Sequence, residues 1–312
     1  MKGWILYRRN EEHGLKPEDY EVDRLMETGN KLNIEMRVVH PNDFDLVVTK
    51  GGRKSLLIDG EYPTLPDFVL PRTGAATSYY ALAVMRHLER LGLFVFNSSQ
   101  SVEVVKDKMY TQQLLALNNI PVPRTMLVKF PVNVEFVEQQ LGFPVVIKTL
   151  SGTQGVGVFL AESKQGFGDL MELIGTMRSN ATILLQEFVK ESYGRDLRVF
   201  VIGGRAITCM ERASINGGFK ANISQGGHAK PFAMTPEIEW LATETARIVG
   251  LDIAGIDLLF AGSHFKVCEA NSAPGFEGLE KYCDVDIATE IYNYIRIRLG
   301  KWDQPETEGF LE

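Results

Sequence analysis

The stretch "VCEANSAPGFEG", residues 267–278, places Glu269 and Asn271 two positions apart at the end of an apolar run. Because side chains alternate between the two faces of a β-strand, these two residues are expected on the same face as Phe265 and Val267. A carboxylate and a carboxamide then lie among core residues, just before a Pro-Gly stop. This pattern indicates two oxygen ligands that are held in place for a binding site.

The apolar run before it, "IAGIDLLF", contains a single acid, Asp257. A buried acid needs a partner, because burial of an unpaired charge is prohibitive. The two runs are joined by "AGSH", which predicts a tight hairpin. With a three-residue turn at 262–264, Ala261 opposes Phe265 and Asp257 opposes Glu269. A two-residue turn would break this pairing, because a slip of one residue reverses the face.

Two carboxylates directly opposite each other repel, so a cation is expected between Asp257 and Glu269. Asn271, one step along the same face, supplies a further oxygen. Three hard oxygen ligands with open positions suit Mg²⁺ that is held jointly with substrate phosphates. The alternative is that one acid is protonated or paired with a nearby Arg or Lys. That alternative is preferred for one buried acid, whereas the three residues together favour a metal site.

Composition describes an ordinary globular chain of 312 residues, 45% hydrophobic and 23% charged, which is long enough for two or three subdomains. The net charge of −7 argues against general nucleic-acid binding. Three cysteines without metal-ligand spacing indicate a reducing, cytoplasmic compartment. The start "MKGWILYRRN" resembles a first strand and not a signal peptide, and no apolar run is long enough to span a membrane.

The first hundred residues alternate strand-like runs with helical patterns, which predicts an α/β layer domain with a parallel or mixed sheet. Later segments predict the strands "FPVVIK" and "ATILLQEFV", a hairpin around Gly203-Gly204, the helix "TPEIEWLATETARIVGL" and the hairpin described above. The sequence therefore predicts three α/β or α+β subdomains and a polar tail. Their expected bounds are 1–100, 101–190, 191–300 and 301–312.

A glycine-rich stretch, "KTLSGTQGVGVFLAES", places Gly152, Gly155 and Gly157 between two strands. Glycines at this spacing let backbone N–H groups approach phosphate oxygens closely, although a flexible hairpin turn gives the same pattern. Because "VGVFLAES" resembles a returning strand and not a helix, this is neither a Walker A motif nor a dinucleotide-binding fingerprint. Lys148 ends the preceding strand, where a buried ammonium must find an anion.

Three further residues are ambiguous by themselves. Lys108 lies at a helix start and would ordinarily be a solvated charge. Gln186 and Glu187 lie on the apolar strand "LLQEFV", where they could contact a nucleotide base or be the polar residues of an edge strand.

Together these motifs resemble ATP-grasp carboxylate–amine ligases, and most closely the RimK-type α-L-glutamate ligases. The resemblance covers the whole chain apart from the tail. It rests on "PRTG" (71–74), "DKMYTQQLL" (107–115), "GTQGVGV" (152–158), "QEFVKESYGRDLRVFVIG" (186–203), "GGFKANISQGG" (217–227), "AGIDLL" (254–259) and "EANSAPGFEGLEK" (269–281). It implies an ATP-grasp fold with an N-terminal pre-ATP-grasp-like α/β domain, and ATP bound between the central and C-terminal subdomains.

The resemblance also implies an enzyme that phosphorylates a carboxylate with ATP, after which an amine attacks the acyl phosphate. The amine is expected to be L-glutamate, and the acceptor a protein C-terminus, another peptide or a small molecule. Mg²⁺ is implied as two ions, for which Mn²⁺ can substitute, and family habit implies a homo-oligomer. The nucleotide site is expected at Lys108, Lys148, Gly152, Thr153, Gln154, Gly155, Gln186, Glu187, Phe188, Val189 and Asp196, with the metal at Asp257, Glu269 and Asn271.

Positioning and electrostatic stabilisation dominate such a reaction, because the acyl phosphate and its transition states concentrate negative charge on oxygen. Arg212 and Arg198 are candidate clamps for the phosphate or the carboxylate, although a buried ion pair explains Arg198 equally well. Lys220 and Asn222 are expected in a loop near the triphosphate. The five histidines show no nucleophile-activating context with Ser or Cys, which agrees with a direct acyl-phosphate route.

Some positions depart from the family pattern. Lys220 stands where Arg is expected, which keeps the charge but loses the bidentate fork. Ser224-Gln225 replaces a basic pair, which weakens the case for an acidic protein tail as acceptor. The entry "RRNEEHGLKPEDYE" is longer than expected and could help to choose the acceptor. Two other functions stay open, namely a D-Ala–D-Ala or glutathione type of ligation and a non-catalytic nucleotide-binding module.

Overall fold

The structure is a computed structural model, and it describes residues 1–7, 19–48, 55–74, 77–149, 157–177, 182–214, 217–219 and 228–302. Within these ranges the chain forms three large sheets and one small hairpin, with helices packed on them. No helix in the described part is both long and apolar enough to cross a membrane.

The N-terminal sheet is parallel, with the strand order β2-β1-β5-β6. Its two central strands, β1 and β5, are almost entirely buried on both faces, because helices and neighbouring elements cover both sides, whereas the edge strands β2 and β6 are partly exposed. Its elements are β1 (Lys2–Leu6), α1 (Tyr20–Lys31), β2 (Glu35–Val39), the hairpin β3 (Phe44–Leu46) and β4 (Leu56–Ile58), β5 (Phe68–Pro71), α2 (Tyr79–Arg90) and β6 (Phe94–Val95). The predicted α/β layer domain is thus confirmed.

The central sheet is antiparallel, with the order β7-β10-β8-β9, and two helices cover one face. Its elements are β7 (Thr125–Val128), α5 (Val134–Leu141), β8 (Val145–Thr149), β9 (Val158–Ala161), α6 (Lys164–Met177) and β10 (Ile183–Glu187). Strands β8 and β9 pair across the glycine-rich stretch, which confirms that "VGVFLAES" begins a returning strand.

The C-terminal sheet is also antiparallel, with the order β13-β12-β11-β14-β15. One face packs on α7 and the other, through α8 and α9, on the N-terminal domain, so that the first and last parts of the chain share one core. Its elements are β11 (Arg195–Ile202), β12 (Arg205–Ala213), β13 (His228–Pro231), α7 (Pro236–Val249), β14 (Ile253–Ala261), β15 (His264–Asn271), α8 (Glu277–Cys283) and α9 (Ile287–Arg298).

Two short helices, α3 (Ser99–Lys106) and α4 (Lys108–Leu117), precede the central sheet. They meet at Asp107, whose carboxylate accepts a hydrogen bond from Tyr110 N at 2.9 Å and so caps α4. Leu115 of α4 is fully buried in the core beneath the C-terminal sheet. Helix α4 therefore links the first domain to the C-terminal sheet, and its N-terminus presents Lys108 beside β15.

Asn97 fastens the N-terminal domain to the C-terminal sheet. Its Nδ2 donates to the carbonyls of Ile253 and Ser272, both at 2.7 Å, and its Oδ1 accepts from Ile253 N at 2.8 Å. Asn97→Ala removes three buried hydrogen bonds and is expected to lower the free energy of unfolding by about 3 kcal/mol, at about 1 kcal/mol each. Urea denaturation measures this change.

Asn118→Ala is the matched control, because Asn118 is exposed and its side chain donates to Leu114 O of its own helix. Its effect is expected to stay within about 0.5 kcal/mol, as for most surface substitutions. Equal losses in the two variants would contradict the role of Asn97 as a fastening between domains.

Candidate active site

The β14–β15 hairpin turns over two residues, Gly262 and Ser263, so that Ala261 faces His264. The predicted three-residue turn and the pairing of Ala261 with Phe265 are therefore wrong. Gly262 has φ +67°, a left-handed conformation that costs glycine no steric strain, and this makes the tighter turn available.

A β-bulge at Cys268 compensates for the shorter turn. Leu258 pairs with Val267, and the next residue, Asp257, pairs with Glu269, so that Cys268 is the extra residue on β15. The predicted opposition of the two carboxylates is confirmed, but it results from a two-residue turn with a bulge and not from a three-residue turn. A two-residue turn alone would have placed Glu269 on the other face.

The bulge also divides the side chains of β15 between two faces in a way that simple alternation does not. Val267 and Ala270 are both buried, and both pack with Phe265 in the core that faces α7. Glu269 and Asn271 lie on the opposite face, in register with Asp257 and Gly255. The prediction that Glu269 and Asn271 share a face with Phe265 and Val267 is thus wrong.

A row of ion pairs crosses this second face of the sheet. Arg198 binds Asp257 through two hydrogen bonds, Nε to Oδ1 and Nη2 to Oδ2, both 2.8 Å long. Arg212 binds Asp196 in the same way, with both bonds 2.7 Å long, and its Nη2 also lies 3.0 Å from Asp257 Oδ2. The row therefore joins strands β12, β11 and β14 through alternating charges.

Burial would raise the pKa of Asp257, but the guanidinium groups of Arg198 and Arg212 outweigh it and lower the pKa to about 2. Asp257 is thus fully ionised at neutral pH. Arg198 makes the buried ion pair that the sequence left as its alternative role. Both oxygens of Asp196, predicted to bind the nucleotide, accept hydrogen bonds from Arg212 in this structure.

The donor chemistry of the three predicted metal ligands fits Mg²⁺. The two arginines occupy three of the roughly four lone-pair positions of the Asp257 carboxylate, which leaves one direction open. The Glu269 side chain is 40% exposed, with Lys108 Nζ 3.8 Å from its Oε1. Asn271 Nδ2 donates to Gly255 O at 3.3 Å, so its amide oxygen remains as the ligand atom. Within the described ranges, no three His, Cys, Asp or Glu side chains form a metal cluster, and Asn271 remains the predicted third oxygen ligand beside the two carboxylates.

A cleft lies between the central sheet, helix α4 and β15. It brings together four of the residues that the sequence singled out, namely Lys108, Lys148, Gln186 and Glu269. The cleft is thus in the position expected for a nucleotide between the central and C-terminal subdomains.

Lys148 points from β8 across the cleft, and its Nζ lies 3.5 Å from Cys268 Sγ. Burial lowers the pKa of this ammonium, but negative charge at Cys268, Glu269 and Asp257 acts in the other direction, and the net pKa is raised. Because burial raises the pKa of the Cys268 thiol, we assign the opposing charge to the two carboxylates. Lys148 is therefore a partly buried, positively charged group at the cleft wall.

The opposite end of the cleft contains the predicted base-binding strand. Gln186 is buried and donates to Thr125 Oγ1 at 3.0 Å. The Glu187 carboxylate pairs with Arg124 at 2.8 Å and with Lys266, so it ties the central sheet to β15. Val189 is buried, and Phe188 packs its ring 6.1 Å from that of Tyr193 and 6.2 Å from that of Phe219.

Several predicted site residues lie outside the described residues, namely Gly152, Thr153, Gln154, Gly155, Lys220 and Asn222. Conversely, sequence reasoning missed most of the cleft wall, including its polar residues Gln112 and Thr125 and the thiol of Cys268. Gln112 follows Lys108 by four residues on α4, and this helical spacing could have placed both on one face.

Two family models match the chain. The RimK PreATP-grasp domain matches residues 14–102, and the RimK-like ATP-grasp domain matches residues 105–295. Similar proteins include a "Probable alpha-L-glutamate ligase" from Thioalkalivibrio sulfidiphilus, 36% identical over 88% of this chain and 91% of that protein. Another with that name, from Methanococcoides burtonii, is 36% identical over 93% of this chain and 95% of its own length.

Solved structures of low sequence identity share the fold. The ATP-grasp ligase PsnB, complexed with a minimal precursor, has a TM-score of 0.71 at 21% identity and covers 94% of this chain and 98% of its own. A RimK domain ATP-grasp protein from Sphaerobacter thermophilus gives 0.71 at 20% identity, with 94% and 99% covered. D-alanine–D-alanine ligase from Bacillus anthracis gives 0.65 at 17% identity, with 96% and 99% covered. With a parallel N-terminal domain, two antiparallel sheets around a cleft and these matches, the chain belongs to the RimK-like ATP-grasp family of ATP-dependent carboxylate–amine ligases.

Proposed function

We propose that this ligase joins L-glutamate to a carboxylate acceptor through an acyl phosphate. The observation that carries the proposal is the arrangement of the cleft, where Lys148 and Lys108 lie beside the β14–β15 hairpin, on which Asp257 and Glu269 are directly opposed. Two ammonium groups opposite two carboxylates form a site for a polyphosphate together with a divalent cation.

In this proposal the chain's own residues bind and orient the nucleotide. Lys148 and Lys108 contact phosphate oxygens, and main-chain groups of the segment from Gln186 to Val189 contact the base. Asp257, Glu269 and Asn271 hold Mg²⁺, which neutralises phosphate charge when it is bound. Two such ions, with Mn²⁺ as a substitute, belong to the same proposal. The glycine-rich stretch at 152–155 is assigned to the phosphates as well.

The two arginines orient the metal ligands and supply positive charge. Arg198 fixes the Asp257 carboxylate by two hydrogen bonds, and Arg212 links it to Asp196. Together with Lys220 and Asn222, they are assigned to the site where the γ-phosphoryl group moves to the acceptor carboxylate and ADP leaves. The amine nitrogen, after losing a proton, then attacks the carbonyl carbon, and inorganic phosphate departs with the electrons of the C–O bond.

The names of the relatives support glutamate as the amine, because proteins covering most of this chain at 36% identity are named as glutamate ligases. PsnB has been solved with a precursor peptide, which supports a peptide as one class of acceptor. The alternative ligations of the D-Ala–D-Ala type share the fold at lower identity. A reducing, cytoplasmic compartment is part of the proposal, supported by three free cysteines, and so is a homo-oligomer.

Release of ADP tests the function. Wild-type protein with ATP, Mg²⁺, L-glutamate and a panel of peptide and small-molecule acceptors is expected to release ADP only when both substrates are present. Mass spectrometry is expected to show an acceptor heavier by glutamyl residues. Asn271→Ala is the control, since it removes a proposed metal ligand without opening the core and should lose turnover at unchanged melting temperature.

ATP binding without ADP release across every amino acid and acceptor tested would overturn the ligase proposal in favour of a nucleotide-binding module. A product that contains D-alanine would instead assign the chain to the D-Ala–D-Ala type of ligation.

A further inference from the structure

Strand β15 is the edge of its sheet, and a segment from outside the sheet covers the bulge. On the outward side, Val267 N donates to Pro121 O at 2.8 Å. The carbonyl of the bulged residue, Cys268, accepts a hydrogen bond from Gln112 Nε2 at 3.1 Å. The backbone groups that the bulge turns away from β14 are therefore satisfied by α4 and the loop that follows it.

Gln112 makes this contact at a cost to stability. The residue is only 7% exposed, and in the described part of the chain its Oε1 has no hydrogen-bond partner. An unpaired buried acceptor costs about 1–3 kcal/mol. An apolar side chain of the same length would fill this space without that cost, so packing alone does not explain an amide at this position.

Helix geometry connects Gln112 with the charged side of the site. Lys108 and Gln112 are four residues apart, so they lie on the same face of α4. Lys108 Nζ lies 3.8 Å from Glu269 Oε1, while Gln112 holds the residue immediately before Glu269. One helix face thus contacts both the proposed metal ligand and the backbone that orients it.

We propose that Gln112 is a positioning residue for the metal site: its amide holds the Cys268 carbonyl in the bulge, and the bulge keeps Glu269 and Asn271 on the face of Asp257. The bulge is required because the two-residue turn alone would place both side chains on the opposite face. This inference rests on the proposed metal site, and it assigns the geometry of that site to a residue of the cleft wall that acts through the backbone of β15.

The test measures how much a divalent cation improves ADP binding. Isothermal titration calorimetry gives the ADP affinity in EDTA and in Mn²⁺, and their ratio is the gain due to the metal. Gln112→Met keeps the length of the side chain but removes the amide, and it is expected to reduce this gain by about 10- to 100-fold, as for other residues that orient metal ligands. ADP affinity in EDTA is expected to change by a smaller factor than this gain, because the amide contacts the backbone of β15.

Gln113→Met is the matched control, because Gln113 is the next residue on the same helix and is exposed. It is expected to keep the full gain. Gln112→Asn keeps the polar group but is one methylene too short to reach Cys268 O, so it should lose the gain as Gln112→Met does and provides the test if the latter fails to fold.

Retention of the gain by the Gln112 variants would overturn the inference. So would an equal loss of ADP affinity in EDTA, because that result would indicate general damage to the cleft. Since this readout needs neither acceptor nor turnover, it is independent of the ADP-release test of the ligase function.

Discussion

Asp257→Asn is expected to lower the free energy of unfolding by about 3–5 kcal/mol, the usual cost of removing one partner from a buried ion pair. The carboxylate is 8% exposed and is the shared partner of Arg198 and Arg212, so its loss leaves Arg198 without its partner and leaves Arg212 with Asp196 alone. The same substitution removes a proposed metal ligand, so ADP release should stop as well. Urea denaturation and the ADP assay measure the two effects separately.

Glu269→Gln is the matched variant on the facing strand. Its side chain is 40% exposed, and its ion pair with Lys108 is long, at 3.8 Å. Such a pair contributes at most about 1 kcal/mol, so the fold should be nearly unaffected. Turnover should still fall by about 10²–10³-fold, as when other charge-stabilising groups are removed. Equal losses of stability in the two variants would contradict the conclusion that Asp257 stabilises the fold much more than Glu269 does.

Lys148→Met is expected to reduce kcat by about 10²–10³-fold, because the ammonium faces the phosphates in the proposed site. The melting temperature should fall only slightly. The raised pKa of Lys148 indicates that the nearby carboxylates stabilise its charge, but the side chain is only partly buried and its hydrogen-bond partner in the described part of the chain is a thiol. ADP-release kinetics and thermal unfolding measure the two quantities.

Lys129→Met, an exposed lysine in the same subdomain, controls for the change in net charge and should alter neither turnover nor melting temperature. A Lys148→Met protein that unfolds readily yet keeps its turnover would contradict the assignment, because it would make Lys148 a structural residue.

The pairing of Asp257 with Glu269 could be predicted from the sequence, but the turn length and the bulge that produce it could not. The expected three-residue turn and the observed two-residue turn with a bulge give the same pairing. Each places one more residue between Asp257 and Glu269 than a two-residue turn without a bulge would. Apolar alternation does not locate the bulge, because Val267 and Cys268 are both compatible with burial. The buried residues Val267 and Ala270 are three positions apart, and this departure from the alternation of a regular strand marks the bulge.

The partners of the arginines could not be predicted either. Arg198 and Asp257 are 59 residues apart, and only the register of β11 against β14 brings them together. Periodicity identifies a strand but not its neighbour, so the sequence left a phosphate clamp and a buried ion pair equally open. Gln112 was missed for a related reason, because its importance lies in a contact with a bulge that the sequence did not reveal.

The far edge of the C-terminal sheet has a consequence for association between chains. Strand β13 is only four residues long, and it contains Lys230 and Pro231. A proline has no N–H to offer a further strand, and a lysine charge must stay hydrated, so both features disfavour edge-to-edge aggregation. With α4 and Pro121 covering β15 at the opposite side, the sheet that carries the proposed metal site is protected at both ends against the addition of a foreign strand.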